Sequence, residues 1–182
     1  FGAYAFAHAG NASAAIDYAR ASRKHGSVLA AWNYRYWLDN PSREDAQRWV
    51  KRDMGYCSTG HPLCAKAVMQ RVLPGAWWLE LSLYRFLLMP RGSAIQVAKL
   101  IEALLVLTVP IIAREHGPSQ PFEDLLHLGF PLVLVDRWHD ITPGKLDSWW
   151  QTWSPVLERW RRLYLTTKWF WHYLRCSIPS FR

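Results

Sequence analysis

Acidic, basic and histidine side chains crowd together after an apolar segment in the second half of the chain. The apolar residues 130–135 lead into Asp136, Arg137, His139 and Asp140. Polar side chains that follow a buried strand commonly rim a ligand site in an open sheet. A histidine can act as a general base, and two carboxylates can hold a divalent ion for phosphodiester hydrolysis. We therefore predict Asp136, His139 and Asp140 as catalytic, Asp136 and Asp140 as ligands of Mg²⁺, and Arg137 as a contact for a nucleoside triphosphate.

Further carboxylates lie nearby in the sequence, at Glu115, Glu123 and Asp124. Together with the first group they predict a Mg²⁺-dependent DNase or nucleotide hydrolase. The alternative interpretation is that Asp136 and Asp140 cap the following helix or pair with Arg137. The motifs GxxxxGK[ST], GxGxxG, HExxH and GxSxG do not occur, so Walker-type ATPases and several other enzyme classes are not supported.

The C-terminal stretch combines positive charge with aromatic rings, and no acidic residue follows Glu158. Basic side chains bind phosphates, and aromatic faces stack on unpaired bases. The nucleic-acid contacts predicted from this pattern are Arg159, Arg161, Arg162, Lys168, Arg175 and Arg182. The alternative is structural, because Trp153, Leu157, Trp160 and Tyr164 have helical spacing and form one apolar face. The two interpretations are compatible if that face packs and the basic side points outward.

Composition sets limits on the class of protein. The 182 residues include 22 Lys plus Arg against 14 Asp plus Glu, a net charge of +8, and 12 tryptophans. An apolar fraction of 51% is enough for a sizeable core and excludes intrinsic disorder. The longest apolar run, residues 103–113, is far shorter than the roughly 20 residues of a membrane-spanning helix. The positive charge favours an anionic partner: nucleic acid, an acidic protein or an anionic membrane face.

The chain has three cysteines, at positions 57, 64 and 176. A small and odd number of cysteines argues against a disulfide framework. They favour a reducing compartment, so we expect the protein in the cytoplasm or at the inner face of the membrane. The spacing of Cys57, His61 and Cys64 does not match a standard zinc site, which indicates structural cysteines.

Local patterns predict helices over residues 12–25, 43–54, 63–73, 94–107 and 122–128, and strands over 83–88, 109–113 and 130–136. Thr142-Pro143 predicts a helix start, and Ser154-Pro155 predicts a second start for a long basic, Trp-rich helix over residues 154–176. Helical ends around a strand-containing middle predict an α+β fold. We expect a small mixed sheet, a majority of helix and a single domain over residues 1–182.

The order of elements in the middle of the chain resembles the ParB/sulfiredoxin superfamily. The resemblance covers residues 83–153: a strand, a helix with Val97–Leu104, a Val-Pro-Ile-Ile strand from Val109, and the strand Leu132–Asp136 before His139. It implies a ParB/sulfiredoxin-like core flanked by N- and C-terminal helices. The family's glycine before the histidine is absent here, as is the cysteine of the sulfiredoxins, so sulfiredoxin chemistry is not expected.

This superfamily includes a plasmid-encoded fertility-inhibition protein. The resemblance therefore implies a bacterial factor that blocks conjugative or T-DNA transfer through a type IV secretion system. The expected partners are DNA, the relaxosome or the coupling protein, with peripheral contact to an anionic membrane. The alternative is a non-catalytic, basic, Trp-rich adaptor that binds an acidic protein or an anionic membrane surface.

Overall fold

A computed structural model describes residues 9–21, 24, 26–32, 40–52, 67–91 and 97–165. One five-stranded sheet lies at its centre, in the order β2-β1-β3-β4-β5. The strands are β1 (Gly26–Ala30), β2 (Ala67–Met69), β3 (Tyr84–Leu88), β4 (Val109–Ala113) and β5 (Val133–Val135). All four neighbouring pairs are parallel. This order in a parallel sheet is the flavodoxin-like, doubly wound arrangement.

Helices separate the strands along the chain. They are α1 (Ala9–Ala21), α2 (Pro41–Arg52), α3 (Trp77–Ser82), α4 (Val97–Leu105), α5 (Gln120–His127) and α6 (Pro143–Tyr164), with short 3₁₀ turns at Pro74–Ala76 and Trp138–Asp140. The predicted α+β class, with a small sheet and a majority of helix, is confirmed. The expectation of a mixed sheet is wrong. A helix between each pair of consecutive strands returns the chain to the same edge, which makes the strands parallel.

The predicted strands over 83–88 and 109–113 match β3 and β4 to within one residue, and the strand predicted over 130–136 contains the shorter β5. The helix expected over 63–73 is wrong where the structure describes it, because residues 67–69 form β2. These three residues are buried and pair with β1, so tertiary pairing decides their conformation. The helix expected over 12–25 ends at Ala21, and Gly26 begins β1.

The C-terminal helix begins earlier than predicted. α6 is continuous from Pro143 to Tyr164, so the separate start at Ser154-Pro155 is wrong. Thr142 caps the helix, with its Oγ1 accepting a hydrogen bond of 3.3 Å from the Lys145 backbone N–H. Pro155 is exposed, so water can satisfy the carbonyl that the proline leaves without a donor. Residues 166–176 of the predicted helix lie outside the described residues.

The tryptophan face of α6 packs on the sheet. Trp150 meets Phe86 of β3 edge-to-face with ring centroids 6.0 Å apart, and Trp160 meets Phe130 in the same way at 4.7 Å. Trp160 and Leu157 are buried. The aromatic stripe seen in the sequence is therefore part of the core, as the structural interpretation predicted.

Candidate ligand site at the carboxyl edge of the sheet

Helix α2 lies along the edge where the parallel strands end. At its start, Asn40 Nδ2 donates to the Arg91 carbonyl at 2.9 Å, and Ser42 Oγ accepts from the Arg91 backbone N–H at 3.0 Å. One turn later, Asp45 Oδ2 lies 2.6 Å from His116 Nε2. Arg91 follows β3 and His116 follows β4, so successive turns of α2 contact successive strand ends. In doubly wound folds this edge is where ligands bind.

The loop after β4 is held in an uncommon conformation. His116 has φ +68°, which is rare for a residue with a side chain, and Gly117 follows at φ +151°. Arg91 Nη1 donates to the His116 carbonyl at 2.8 Å. A Cβ at position 117 would overlap the Arg91 guanidinium. Glycine there lets the arginine lie over the backbone and hold His116 towards α2.

A cavity of about 310 Å³ lies at this edge beside the turn after β5. Its lining residues are Asp45, Arg48, Trp49, Arg52, Glu115, Trp138 and His139. Glu115 Oε1 accepts the backbone N–H of Trp138 at 3.2 Å, which joins the ends of β4 and β5. The cavity therefore lies between α2 and two strand-end loops.

Asp45, Glu115 and His116 each offer a ligand atom, and these atoms lie within 4.8 Å of one another. Oxygen and imidazole donors at that spacing could hold a divalent ion. In the structure each already has a protein partner: Asp45 binds His116 and Arg48, and Glu115 binds Trp138. The trio contains neither Asp136 nor Asp140, the two residues predicted to bind Mg²⁺.

Two basic side chains converge nearby, where the chain order reverses between β1 and β3. Arg43 belongs to α2, which follows β1, and Lys99 belongs to α4, which follows β3. Lys99 Nζ donates to the Ala31 carbonyl at the end of β1 (3.3 Å) and lies 5.4 Å from the centre of the Trp77 ring. Burial lowers the pKa of Lys99; the nearby carboxylate of Glu102 opposes that shift, and the positive charge of Arg43 adds to it.

The charge of this pair is only partly balanced. Burial lowers the pKa of Arg43, and its Nε is buried without a hydrogen-bond acceptor among the residues described. The carboxylate near Lys99 is Glu102, which accepts a hydrogen bond of 2.9 Å from Trp77 Nε1. Burial also raises the pKa of Glu102, so its ionised form is disfavoured. We call Arg43 and Lys99 the switch-point pair.

The strand-end residues predicted to be catalytic follow β5, as expected, but they have structural partners. Asp136 is 79% exposed and its Oδ1 pairs with Arg114 Nη1 at 2.9 Å. Asp140 Oδ2 accepts the backbone N–H of Arg137 at 2.8 Å, which fastens the 3₁₀ turn. His139 lines the cavity, and its Nε2 lies 3.9 Å from Asp140 Oδ1. Asp140 therefore closes the 3₁₀ turn through Arg137, whereas the following helix is capped by Thr142, and the catalytic roles stay predictions.

The predicted nucleic-acid contacts lie on or beyond α6. Arg161 and Arg162 both bind Glu158, at 2.8 Å in each case, while Arg159 is exposed. Lys168, Arg175 and Arg182 lie outside the described residues. The basic face is thus partly neutralised where the structure describes it.

Glu158 also joins α6 to α1 through Arg20 at 3.0 Å. Hydrogen bonds from Arg161, Arg162 and Arg20 lower the pKa of Glu158 to about 2. Because the unfolded chain titrates near 4.5, this stabilisation is complete above that pH and is lost as the pH falls towards 2. The side chain is 32% exposed, so screening limits its contribution to about 1 kcal/mol or less.

We expect Glu158→Gln to lower the free energy of unfolding near neutral pH, and the difference from the wild type to disappear near pH 2. Urea denaturation over that pH range measures both. Asp147→Asn is a matched control, because Asp147 makes one exposed pair with Arg85. A constant difference between Glu158→Gln and wild type across the range would contradict the assignment.

The sequence does not predict Asp45, His116, Arg43 or Lys99 as site residues. Asp45 has the spacing of a capping-box residue, and the other three carry no motif.

Comparison of the sequence with protein-family models gave no match, and comparison with curated proteins gave none. In the part of the chain that the structure describes, every helix is too short or too polar to cross a membrane.

Proposed function

We propose that the protein binds a phosphorylated ligand of the nucleotide class between α2 and α4, with its phosphates on Arg43 and Lys99. The switch-point pair is the observation that carries this proposal. Two like charges that are partly withdrawn from water repel each other and lose hydration, which is costly unless an anion compensates them. A phosphate group supplies that charge together with several acceptor oxygens.

The position of the pair supports the same ligand class. Doubly wound parallel sheets bind ligands in the crevice at the carboxyl edge where the chain order reverses, and the phosphates lie near helix N-termini. Arg43 is in the first turn of α2 and Lys99 is in the first turn of α4. This support is an analogy between folds; the chemical support comes from the pair itself.

Glu102 gives a reason to favour a nucleotide over a simple phosphate. It lies one turn beyond Lys99 on α4, and its carboxylate is near the Lys99 ammonium. In dinucleotide sites of doubly wound folds, an acidic side chain accepts a hydrogen bond from a ribose hydroxyl. We assign Glu102 that role for the sugar of the ligand.

The other expectations stay predictions. They are the block of conjugative or T-DNA transfer, the contacts with DNA, the relaxosome, the coupling protein or an anionic membrane, and a Mg²⁺-dependent DNase or nucleotide hydrolase activity. No contact among the described residues favours any of them over the proposed function.

Isothermal titration with ADP, GDP, UDP and inorganic pyrophosphate tests the proposal. We expect at least one nucleotide to bind the wild type, and both Lys99→Met and Arg43→Met to weaken it about tenfold or more, which corresponds to about 1.4 kcal/mol. Each variant retains an unbranched apolar stem, and circular dichroism checks that it is folded.

Arg71→Met is the control, since Arg71 is an exposed arginine after β2. Its affinity should equal that of the wild type. The proposal is wrong if none of the four compounds binds, or if folded Lys99→Met and Arg43→Met variants bind them as tightly as the wild type does.

A further inference from the structure

The cavity beside the turn after β5 has hydrogen-bond donors without acceptors. The indole nitrogens of Trp49 and Trp138 are buried and have no partner among the residues described. The two side chains are 3% and 2% exposed, and both line the cavity. Buried N–H groups without partners are uncommon, because each loses the hydrogen bond that it would make to water.

The charged side chains that line the cavity include two arginines and two carboxylates. The carboxylates are already engaged: Asp45 with His116 and Arg48, and Glu115 with the backbone N–H of Trp138. Arg52 is exposed to solvent and makes no ion pair or hydrogen bond within the described part of the chain. Its guanidinium and the two buried indoles form a set of donors that suits an anion with several acceptor oxygens.

We propose that this cavity binds an oxyanion, the phosphate or carboxylate group of a second ligand, through Arg52 and the indole N–H groups of Trp49 and Trp138. An oxyanion accepts hydrogen bonds from a guanidinium and from neutral N–H groups together. Both indole nitrogens are buried in this structure, so the proposal includes a side-chain movement that brings them into contact with the ligand.

Its volume also suits a ligand larger than a bare ion. At about 310 Å³ the cavity is at the lower end of the roughly 300–1,000 Å³ found for small-molecule sites. Arg48 lies one turn before Arg52 on the same side of α2 and pairs with Asp45. A ligand that carries a second acceptor could draw Arg48 from Asp45.

This subsite is separate from the switch-point pair. It uses the second half of α2 and the loops after β4 and β5, whereas Arg43 is in the first turn of α2 and Lys99 lies on α4. It does not depend on the proposed nucleotide. If both assignments are right, the carboxyl edge binds two ligand groups side by side.

Titration with inorganic phosphate and, separately, with acetate tests this subsite, followed by the indole N–H resonances in NMR spectra. We expect phosphate, acetate or both to bind the wild type at millimolar concentration and to shift two indole resonances that Trp49→Phe and Trp138→Phe remove. Arg52→Met should weaken binding about tenfold, and Trp138→Phe about threefold, as loss of one charged and one neutral hydrogen bond implies.

The matched control is Arg71→Met, at an exposed arginine after β2, which should leave the shifts of both indole resonances unchanged. Arg52→Met should weaken these shifts without changing nucleotide binding at the switch-point pair. Phosphate binding without acetate binding assigns a phosphate group, and the opposite result assigns a carboxylate. The proposal is overturned if neither anion binds the wild type, or if folded Arg52→Met and Trp138→Phe variants bind as the wild type does.

Discussion

Replacing Trp138 by alanine is expected to lower the free energy of unfolding by about 3–5 kcal/mol, the usual cost of removing a large buried aromatic ring. Trp138 is 2% exposed and is the largest of the fully buried side chains in the described part of the chain. It stands at the start of the 3₁₀ turn after β5, where its backbone N–H also binds Glu115. Urea denaturation followed by fluorescence and circular dichroism measures the change.

Trp138→Phe distinguishes the contribution of the buried aromatic ring from that of the indole N–H. Most of the buried area remains, and the indole N–H has no acceptor to lose among the described residues. We therefore expect this variant to cost about 1–2 kcal/mol, mainly for the cavity that the smaller ring leaves. A loss of under 1 kcal/mol for Trp138→Ala would show that the ring is not a core residue, and a loss for Trp138→Phe as large as that for Trp138→Ala would contradict the expectation that the phenyl ring retains most of the packing.

Lys24→Met is expected to cost about 3 kcal/mol, because it leaves buried acceptors without a donor. Lys24 Nζ donates to the carbonyls of Ser82 and Val106, at 2.6 and 2.8 Å, and to Thr108 Oγ1 at 3.1 Å. Ser82 ends α3 and Val106 follows α4, so the lysine binds the C-terminal ends of two helices.

Lys145→Met is the control for Lys24→Met. Lys145 Nζ also donates to a backbone carbonyl, that of Asp140 at 2.8 Å, but in an exposed position, so its loss should cost less than about 0.5 kcal/mol. If the two variants unfold at the same urea concentration, the three contacts of Lys24 do not stabilise the fold.

Lys24 also predicts a pH effect. Burial lowers its pKa to about 7, whereas the unfolded chain titrates near 10.5. Between these values the unfolded chain binds a proton that the folded protein does not, so stability should rise with pH from about 7 to 10. Denaturation at several pH values should show this rise in the wild type and a smaller rise in Lys24→Met, since the lowered pKa of Lys99 contributes in the same direction.

The sequence predicts the second half of the fold well because local signals and tertiary structure agree there. Val109–Ala113 is a β-branched segment and forms β4, and the Thr142-Pro143 signal marks the start of α6. The first half is different. Residues 67–69 carry no strand pattern of their own, and only their pairing with β1 makes them a strand. Pro155 shows the opposite case: the local signal predicts a new helix start, but α6 continues through the proline at an exposed position.

The candidate site could be predicted only where it follows a strand directly. The sequence indicates a site after β5, and His139 does line the cavity. Proximity in sequence also predicts Glu115 near this site, and Glu115 lines the same cavity. Arg43 and Lys99 are 56 residues apart, and only the strand order β2-β1-β3 brings their helices to one point. Asp45 and His116 come into contact for the same reason, and no local sequence pattern predicts that contact.

The most direct test of the central assignment, a nucleotide at the switch-point pair, is a crystal structure of the protein with the nucleoside diphosphate that binds best in the titrations. We expect phosphate oxygens within about 3 Å of Lys99 Nζ and of the Arg43 guanidinium, at charge-assisted hydrogen-bond distance. We also expect the ribose beside Glu102. A nucleotide bound elsewhere, with Arg43 and Lys99 both free of contact to it, would contradict the assignment.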